Sequence, residues 1–334
     1  MKPFQCPCGS HEARNLFSSP ANAHMAGPDG FFRVMECEGC GLRFTDPWPD
    51  HATLRKFYIQ EYYGTQNFRF NSFVELFIYY FRMSRVNRIL DFKRQGRILD
   101  VGVGRGLILH ELKKKGWEVF GTEQTEKAAT YSKNVLGMNI HVGRVEDVPL
   151  EEGSLDVVTF WHVLEHLEDP FSALRKAHHL LRPGGMLVVA VPNIQSLQAR
   201  IFKGYWFHLD MPYHLFHFSD TWLMRHLERE GFGDIRVNHY SLEFNPFGFL
   251  QSLLNRMGFG FNLLYDALKP GNLRKAFRES DVARRREIFS VLFLALLLGP
   301  VALVVSTLFS ALKMGGTVEI TARKKQVFSV TNHE

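Results

Sequence analysis

The run "RILDVGVGRGLILHELKKKGWEVFGTE", Arg97 to Glu123, leaves this chain few ways to fold. A short apolar strand ends at Asp100. Gly102, Gly104 and Gly106 follow at a spacing of two, then an amphipathic helix, then a second strand that closes on Glu123. Glycines allow the sharp turn into the helix and a close approach of ligand to backbone, and the helix N-terminus favours polar or anionic groups. An acidic side chain at the carboxyl end of the second strand can accept hydrogen bonds from both hydroxyls of a ribose. Strand, glycine loop, helix, strand, acid is half of a nucleoside-binding α/β sheet. By themselves these residues suit NAD and S-adenosylmethionine (SAM) equally.

The next elements separate the two. "GSLDVVTFWHVLEHLEDP" predicts a strand from Leu155 with His162, Glu165 and His166 at its carboxyl end, and "LLRPGGMLVVAVPN" a turn and a further strand. On D-V-G-x-G-x-G, the terminal Glu, H-V-L-E-H, P-G-G and V-P-N, the chain from about Arg97 through His217 resembles the class I SAM-dependent methyltransferases. The N-terminal cysteine pairs and "PYHLFHFS", Pro212 to Ser219, resemble the branch with a zinc ribbon ahead of that domain. The resemblance implies an α/β, Rossmann-like sheet of seven strands ordered 3-2-1-4-5-7-6, the last antiparallel. It implies SAM as cofactor, with Gly102, Gly104 and Gly106 lining the amino-acid moiety, Asp100 below them, Glu123 holding the ribose and Gln124 flanking the adenine. The family's Gly-Asp stands here as Gly143-Arg144. That departure leaves the adenine amino contact to Glu146 or Asp147, with the Val145 N–H facing an adenine nitrogen; the competing reading of both carboxylates is a solvated loop.

SAM carries its own electrophile, so the protein has mainly to align nucleophile, methyl and sulfur and to exclude water. For a hydroxyl acceptor, a histidine is the natural proton acceptor. His162 follows the fourth strand, where ligands of open α/β sheets gather, while His214 and His217 sit in the segment that the resemblance places over the cofactor. His162 and His214 are therefore the catalytic candidates. His166 is expected to be structural, its ring bonded to nearby backbone.

All four cysteines fall in the first 40 residues, Cys6 and Cys8 in "CPCG" and Cys37 and Cys40 in "CEGCG". Two short glycine-ended turns with two thiols each suit a tetrahedral Zn²⁺. Redox-active or inert thiols are the other reading. Because the first pair is one residue short of C-x-x-C, His11 competes with Cys6 as fourth ligand. Either set is closed, which makes the site structural or a docking element.

The 334 residues, 46% hydrophobic, can form one large domain with an accessory part, or two domains. The expected boundaries are a zinc-ribbon-like module over 1–50, a helical linker or cap over 51–95, the methyltransferase domain over 96–326 with an apolar insertion at 244–313, and a disordered tail from 327. In the cap, Phe73, Leu76, Phe77, Tyr80 and Phe81 recur at helical spacing. A net charge of +6 favours an anionic partner, lipid among the candidates, and no Lys/Arg stripe with interleaved aromatics argues for nucleic acid. "MKPFQCPCGS" has no apolar signal core, so the cytoplasm is the expected compartment.

"FSVLFLALLLGPVALVVSTLFSAL", Phe289 to Leu312, has no charged residue and would measure roughly 36 Å as one helix. Arg284, Arg285 and Arg286 precede it. "TVEITARKK" follows, alternating as a half-buried strand, the seventh of the sheet. A complete membrane crossing would part that strand from its neighbours. Gly299-Pro300 predicts a break, hence two short helices that either dip into one leaflet or pack as an extra layer. The reading that results is a peripheral SAM-dependent methyltransferase acting on oxygen or nitrogen of a lipid-linked or amphipathic acceptor, such as a quinone precursor, polyprenyl-linked glycan or modified lipid. A soluble enzyme for a nucleotide sugar or polysaccharide, and a non-catalytic SAM-binding scaffold, are the alternatives.

Overall fold

The computed structural model describes residues 6–20, 31–49, 72–269 and 271–326. The segment 51–71, the first part of the expected cap, and the tail from 327, expected to be disordered, lie outside the described residues. The chain divides into two compact units. One comprises residues 82–190, 223–237 and the segment from 319; the other comprises the chain up to Phe81 together with 191–222 and 238–318.

A seven-stranded sheet is ordered β6-β5-β4-β7-β8-β10-β9, the arrangement the sequence implied. Its strands are β4 (Arg97–Val101), β5 (Glu118–Glu123), β6 (Asn139–Val142), β7 (Leu155–Trp161), β8 (Leu181–Pro192), β9 (Phe232–Asn238) and β10 (Thr317–Lys324). β4 pairs in parallel with both β5 and β7, β5 with β6, and β7 with β8. Parallel strands are covered on both faces, which is why β7 reads "LDVVTFW" with all but its last residue buried. The Pro183-Gly184-Gly185 turn is a bulge in β8: Leu181 pairs with Leu155, and pairing resumes at Met186 with Val157.

Helix α1 (Ser72–Phe92) contributes Val86 and Ile89 to a core shared with Ile98, Leu109, Leu112 and Trp117. Each such side chain contributes roughly 1.5–3 kcal/mol on burial. Helix α2 (Leu107–Lys114) turns Leu109 and Leu112 inward and places Lys113 and Lys114 at its negative end. A short helix α3 (Glu126–Thr130) follows β5. Helix α4 (Pro170–Leu180) starts on Pro170, with the Asp169 carboxylate accepting the Ser172 N–H at 2.9 Å.

In the other unit, β1 (Ala13–Pro20), β2 (Phe31–Cys37) and β3 (Arg43–Asp46) form an antiparallel sheet. Phe32 and Val34 of β2 pack with Phe202 of α5 (Leu197–Phe202) and with Trp206 and Met211. After α6 (Asp220–Arg229), the apolar insertion forms α7 (Asn245–Arg256), α8 (Leu263–Leu268), α9 (Asn272–Glu279) and α10 (Val282–Ala311). Leu250 and Leu254 of α7 meet Leu263 and Leu264 of α8 and Ile288, Val291 and Ala302 of α10.

Helix α10 runs in one piece through Pro300, so the hairpin expected at Gly299-Pro300 is not formed. A proline costs a helix interior about 3 kcal/mol. Here Pro300 forfeits a single bond, to the carbonyl of Leu296, on the outward side of the helix; Leu296 is 80% exposed. Buried contacts made by Ile288 and Val291 resume beyond it at Ala302, Ser306 and Ser310, with the half-buried Ala295 and Leu298 in between. Asn245 secures the second half. Its amide donates to the His239 carbonyl at 3.0 Å and to Ser310 Oγ at 3.2 Å, and its side-chain oxygen accepts the Thr317 N–H at 2.8 Å. Its own carbonyl accepts Ser306 Oγ at 3.1 Å and Gln198 Nε2 at 2.8 Å. Bonds of this number, from a residue far off in sequence, hold a helix that the proline rule alone would break.

Candidate active site

The glycine loop closes β4 as its spacing requires. Gly102, Gly104 and Gly106 all have left-handed backbones, with φ of 69°, 52° and 66°. A Cβ on Gly102 would lie 2.6 Å from Val163 Cγ2, so close packing as well as φ demands glycine there. A Cβ on Gly104 would meet nothing within 4 Å. At Gly104 the chain thus leaves open space beside exposed backbone. The loop is fastened to β5, because the Thr122 carbonyl accepts the N–H groups of Gly102 and Val103, both at 3.0 Å.

Glu123 ends β5 beside this loop, buried. Its Oε2 accepts the Gly104 N–H at 3.0 Å and its Oε1 accepts the Gln124 N–H at 2.9 Å. Asp100 lies one strand over, 4% exposed, its Oδ1 accepting the Thr159 hydroxyl at 2.6 Å. Burial pushes the Asp100 carboxyl up to about 7; the charge of Glu123 adds to this, while the Thr159 hydrogen bond and the Arg85 cation oppose it. Arg85, on α1, stacks its guanidinium 5.1 Å from the centre of the Trp161 ring.

Val145, Glu146 and Asp147 form a short turn after β6, whose Val142 is in register with Glu123. The Gly143 N–H donates to the Glu123 carbonyl at 2.9 Å, which brings this turn to the same sheet edge as the glycine loop. Val145 is buried, Asp147 and Gln124 are exposed, and Arg144 points into solvent with Nη2 3.2 Å from Glu146 Oε1. Arg144, which stands where the resemblance led to the expectation of an aspartate, engages Glu146.

His162 follows β7 with φ 53°, a backbone that non-glycine residues seldom adopt, and its N–H donates to the Ala190 carbonyl at 2.9 Å. Its Nδ1 is 3.5 Å from Glu165 Oε1. Burial, assisted by Arg85, depresses the imidazole to about 3, so the ring is neutral at physiological pH. Such a ring is a poor proton acceptor and a good hydrogen-bond partner. His214 belongs to the other unit. Its Nδ1 lies 2.9 Å from the His208 carbonyl oxygen, and its own carbonyl accepts the Thr45 hydroxyl at 2.6 Å. The same Thr45 oxygen lies 3.0 Å from His217 Nε2. These two histidines brace β3.

The four cysteine sulfurs converge. Sγ separations are 3.4 Å for Cys6–Cys8 and 3.5 Å for both Cys6–Cys40 and Cys8–Cys37. Four thiolates about 2.3 Å from a tetrahedral zinc stand about 3.8 Å apart, so the set fits that ion after a small expansion. Burial would raise the Cys37 thiol, but the Cys40 and Gly39 N–H groups and the neighbouring thiols hold it at about 7. His11 is exposed and outside the group of four. The Cys40 carbonyl accepts Trp222 Nε1 at 3.0 Å.

Arg85 and Thr159 were not singled out from the sequence. Thr159 had a signal, a lone hydroxyl in an apolar parallel strand, in register with Asp100. Arg85 had none, being one of several cations on α1.

A family profile described as a methyltransferase domain matches residues 73–237. Over those residues the chain carries a methyltransferase domain, with the Rossmann-like class I sheet. Among curated relatives, an uncharacterized 37.1 kDa protein in transposon TN4556 of Streptomyces fradiae is 36% identical over 115 residues, 32% of this chain and 33% of the relative. A ubiquinone biosynthesis O-methyltransferase of Xanthomonas campestris is 35% identical over 103 residues, 29% of this chain and 43% of the relative. The chain thus spans a third to a half of the length of these curated relatives. Among solved structures, a phosphoethanolamine N-methyltransferase 2 of Haemonchus contortus, in complex with phosphomonomethylethanolamine and S-adenosylhomocysteine, aligns with TM-score 0.51 at 17% identity. That alignment covers 83% of this chain and 61% of the other, a likeness of fold. Asp100, Gly104 and Glu123 fall within the matched residues.

Proposed function

We propose that the chain transfers the methyl group of SAM to an oxygen or nitrogen of a lipid-linked or amphipathic acceptor, working at the cytoplasmic face of a membrane. The observation that carries the reading is the open space at Gly104 beside the buried carboxylate of Glu123. When bound, SAM supplies a sulfonium methyl that is attacked by the acceptor's lone pair, the C–S electron pair remaining on sulfur. Gly102, Gly104 and Gly106 would line its amino-acid portion, and the Arg85 cation would offer a partner for its carboxylate. Glu123 keeps lone pairs for the ribose hydroxyls besides the two N–H groups it already accepts. Gln124 would flank the adenine, with the Val145 N–H for an adenine nitrogen and either Glu146 or Asp147 for the adenine amino group.

His162 stays neutral and holds the acceptor by a hydrogen bond. The cysteine cluster binds zinc with no open position, so it steadies β1 to β3 and takes no part in transfer. An amphipathic acceptor is supported by the uncharged face of α10 and by the quinone pathway in the names of relatives. A quinone precursor, a polyprenyl-linked glycan and a modified lipid all fit that description.

The test is incubation of the chain with isotopically labelled SAM and a lipid extract, followed by separation of organic-soluble from aqueous products. Label in the organic phase, lost in Gly104→Asp, is the expected result. Label confined to aqueous products would overturn the acceptor, and no calorimetric binding of SAM would overturn the enzyme.

A further inference from the structure

On α10 the residues Phe289, Phe293, Leu296, Leu297, Val304 and Leu308 are all more than half exposed. They recur at the helical period along the whole apolar length, opposite the stripe that packs on α7. The helix is seated on the protein on both sides of its middle, through Ile288 and Val291 and again through Ala302, Ser306 and Ser310, so both of its halves are held against the same unit. By length and composition it could span a bilayer; by its packing it lies along the surface of its own unit. The exposed ridge is therefore parallel to the protein surface, roughly 29 Å of apolar side chains without a charge.

The flank of that ridge is basic. Between 271 and 287 the chain carries Arg274, Lys275, Arg278, Arg284, Arg285 and Arg286 against Glu279, Asp281 and Glu287. Glu287 is occupied with Arg284 at 2.6 Å and with the Gly260 N–H at 2.7 Å, while Arg274, Lys275, Arg278 and Arg286 extend into solvent. α9 carries three of these cations on a surface with no buried residue. An apolar face that ends in a cationic collar matches the acyl boundary and headgroups of an anionic leaflet.

We propose that α10 lies flat in one leaflet of an anionic bilayer as a monotopic anchor, its ridge among the acyl chains and the cations of α9 and early α10 on the headgroups. This rests on the reading above that the protein works at a membrane and names how it is held there.

The test uses the full chain with vesicles of phosphatidylglycerol and phosphatidylcholine, or of phosphatidylcholine alone. Wild type is expected to co-sediment with the anionic vesicles and at least ten-fold more weakly with the neutral ones. Arg278→Glu with Arg285→Glu removes that preference, each cation near the surface being worth about five-fold. Leu296→Glu with Val304→Glu, at exposed positions, abolishes binding to both vesicle types while the thermal melt and calorimetric SAM binding stay unchanged. Tryptophan placed singly at Phe289, Leu297 and Leu308 reports depth through brominated acyl chains, after subtraction of the wild-type signal. Equal quenching at all three supports the flat seat. Quenching greatest at Leu297 and weak at both ends means a crossing helix, and a concentration-dependent dimer that ignores vesicles means a second copy covers the ridge; either overturns the proposal. Loss of SAM binding in the wild type would instead defeat the methyltransferase reading and leave the vesicle result standing.

Discussion

Thr159 donates its hydroxyl to Asp100 across neighbouring parallel strands, in register, at 2.6 Å. This bond partly offsets the cost of a carboxyl buried at the end of β4, whose proton affinity remains raised to about 7. In the unfolded chain the same group titrates near 4. Between those values the folded state binds the extra proton, so this group's contribution to stability is complete below about pH 4 and is lost as the pH rises through 7. Asp100→Asn is expected to remove a slope of about 1.4 kcal/mol per pH unit across that window. Urea melts of both proteins at pH 5 and pH 7 measure it; parallel shifts of the two would refute the assignment. Thr159→Val should steepen the loss and lower the midpoint at pH 7.

The glycine loop separates packing from ligand space. Gly104→Ala adds a methyl group that touches no protein atom, so its cost to stability is the left-handed backbone alone, about 1–2 kcal/mol. The same methyl enters the space assigned to the cofactor, and SAM affinity should fall more than ten-fold. Gly102→Ala meets Val163 as well and should lower the melting temperature further. If calorimetry finds SAM binding intact in folded Gly104→Ala, the ligand lies elsewhere.

His162 and His217 are both held neutral by burial, each depressed to about 3. An unfolded histidine takes up a proton near pH 6.5, so these two contribute stability that is present above that pH and lost on acidification towards 3. His217→Gln is expected to lessen the acid sensitivity of the melting temperature between pH 6 and 4. For His162 there is a kinetic consequence: methyl transfer should show no inflection near pH 6.5 that vanishes in His162→Asn. Such an inflection would make His162 a proton acceptor in the ordinary histidine range.

Zinc should be found at one equivalent per chain by elemental analysis. Removal by a strong chelator is expected to lower the melting temperature and to redden the emission of Trp222, whose indole N–H is bonded to the Cys40 carbonyl. Subtracting the spectrum of Trp222→Phe isolates that signal. Metal-free protein with unchanged fluorescence and melting would return the four cysteines to plain thiols.

What could be read in advance was governed by local chemistry. Asp100, the three glycines and Glu123 follow one another within a single strand-helix-strand unit, where spacing and geometry are tightly coupled. The alternation of Val318, Ile320 and Ala322 likewise identified β10, since a strand that completes a sheet must show one buried face. The course of α10 was not legible, because Pro300 is a local signal and what outweighs it is non-local: Asn245, far off in sequence, binds Ser306 and Ser310. Nor did spacing decide between Cys6 and His11. That depended on how two turns separated by β1 and β2 were brought face to face.

Asn245 offers the sharpest test of how the apolar helix is held. Its side chain is 1% exposed, and every donor and acceptor on it is used. Asn245→Leu would strand the Thr317 N–H at the start of β10 and the His239 carbonyl without partners, at about 1–3 kcal/mol each. Asn245→Asp keeps the acceptor for Thr317 but turns an oxygen towards the His239 carbonyl, which is repulsive. Both variants should lower the melting temperature and speed amide hydrogen exchange in the second half of α10, Ala302 to Ser310, ahead of β4 and β7. Ser306→Ala loses one hydrogen bond and should cost about 0.5–1.5 kcal/mol, with faster exchange confined to the same turns. If exchange accelerates equally throughout the chain, α10 is not an independently released segment, and its hold on the protein is distributed rather than centred on Asn245.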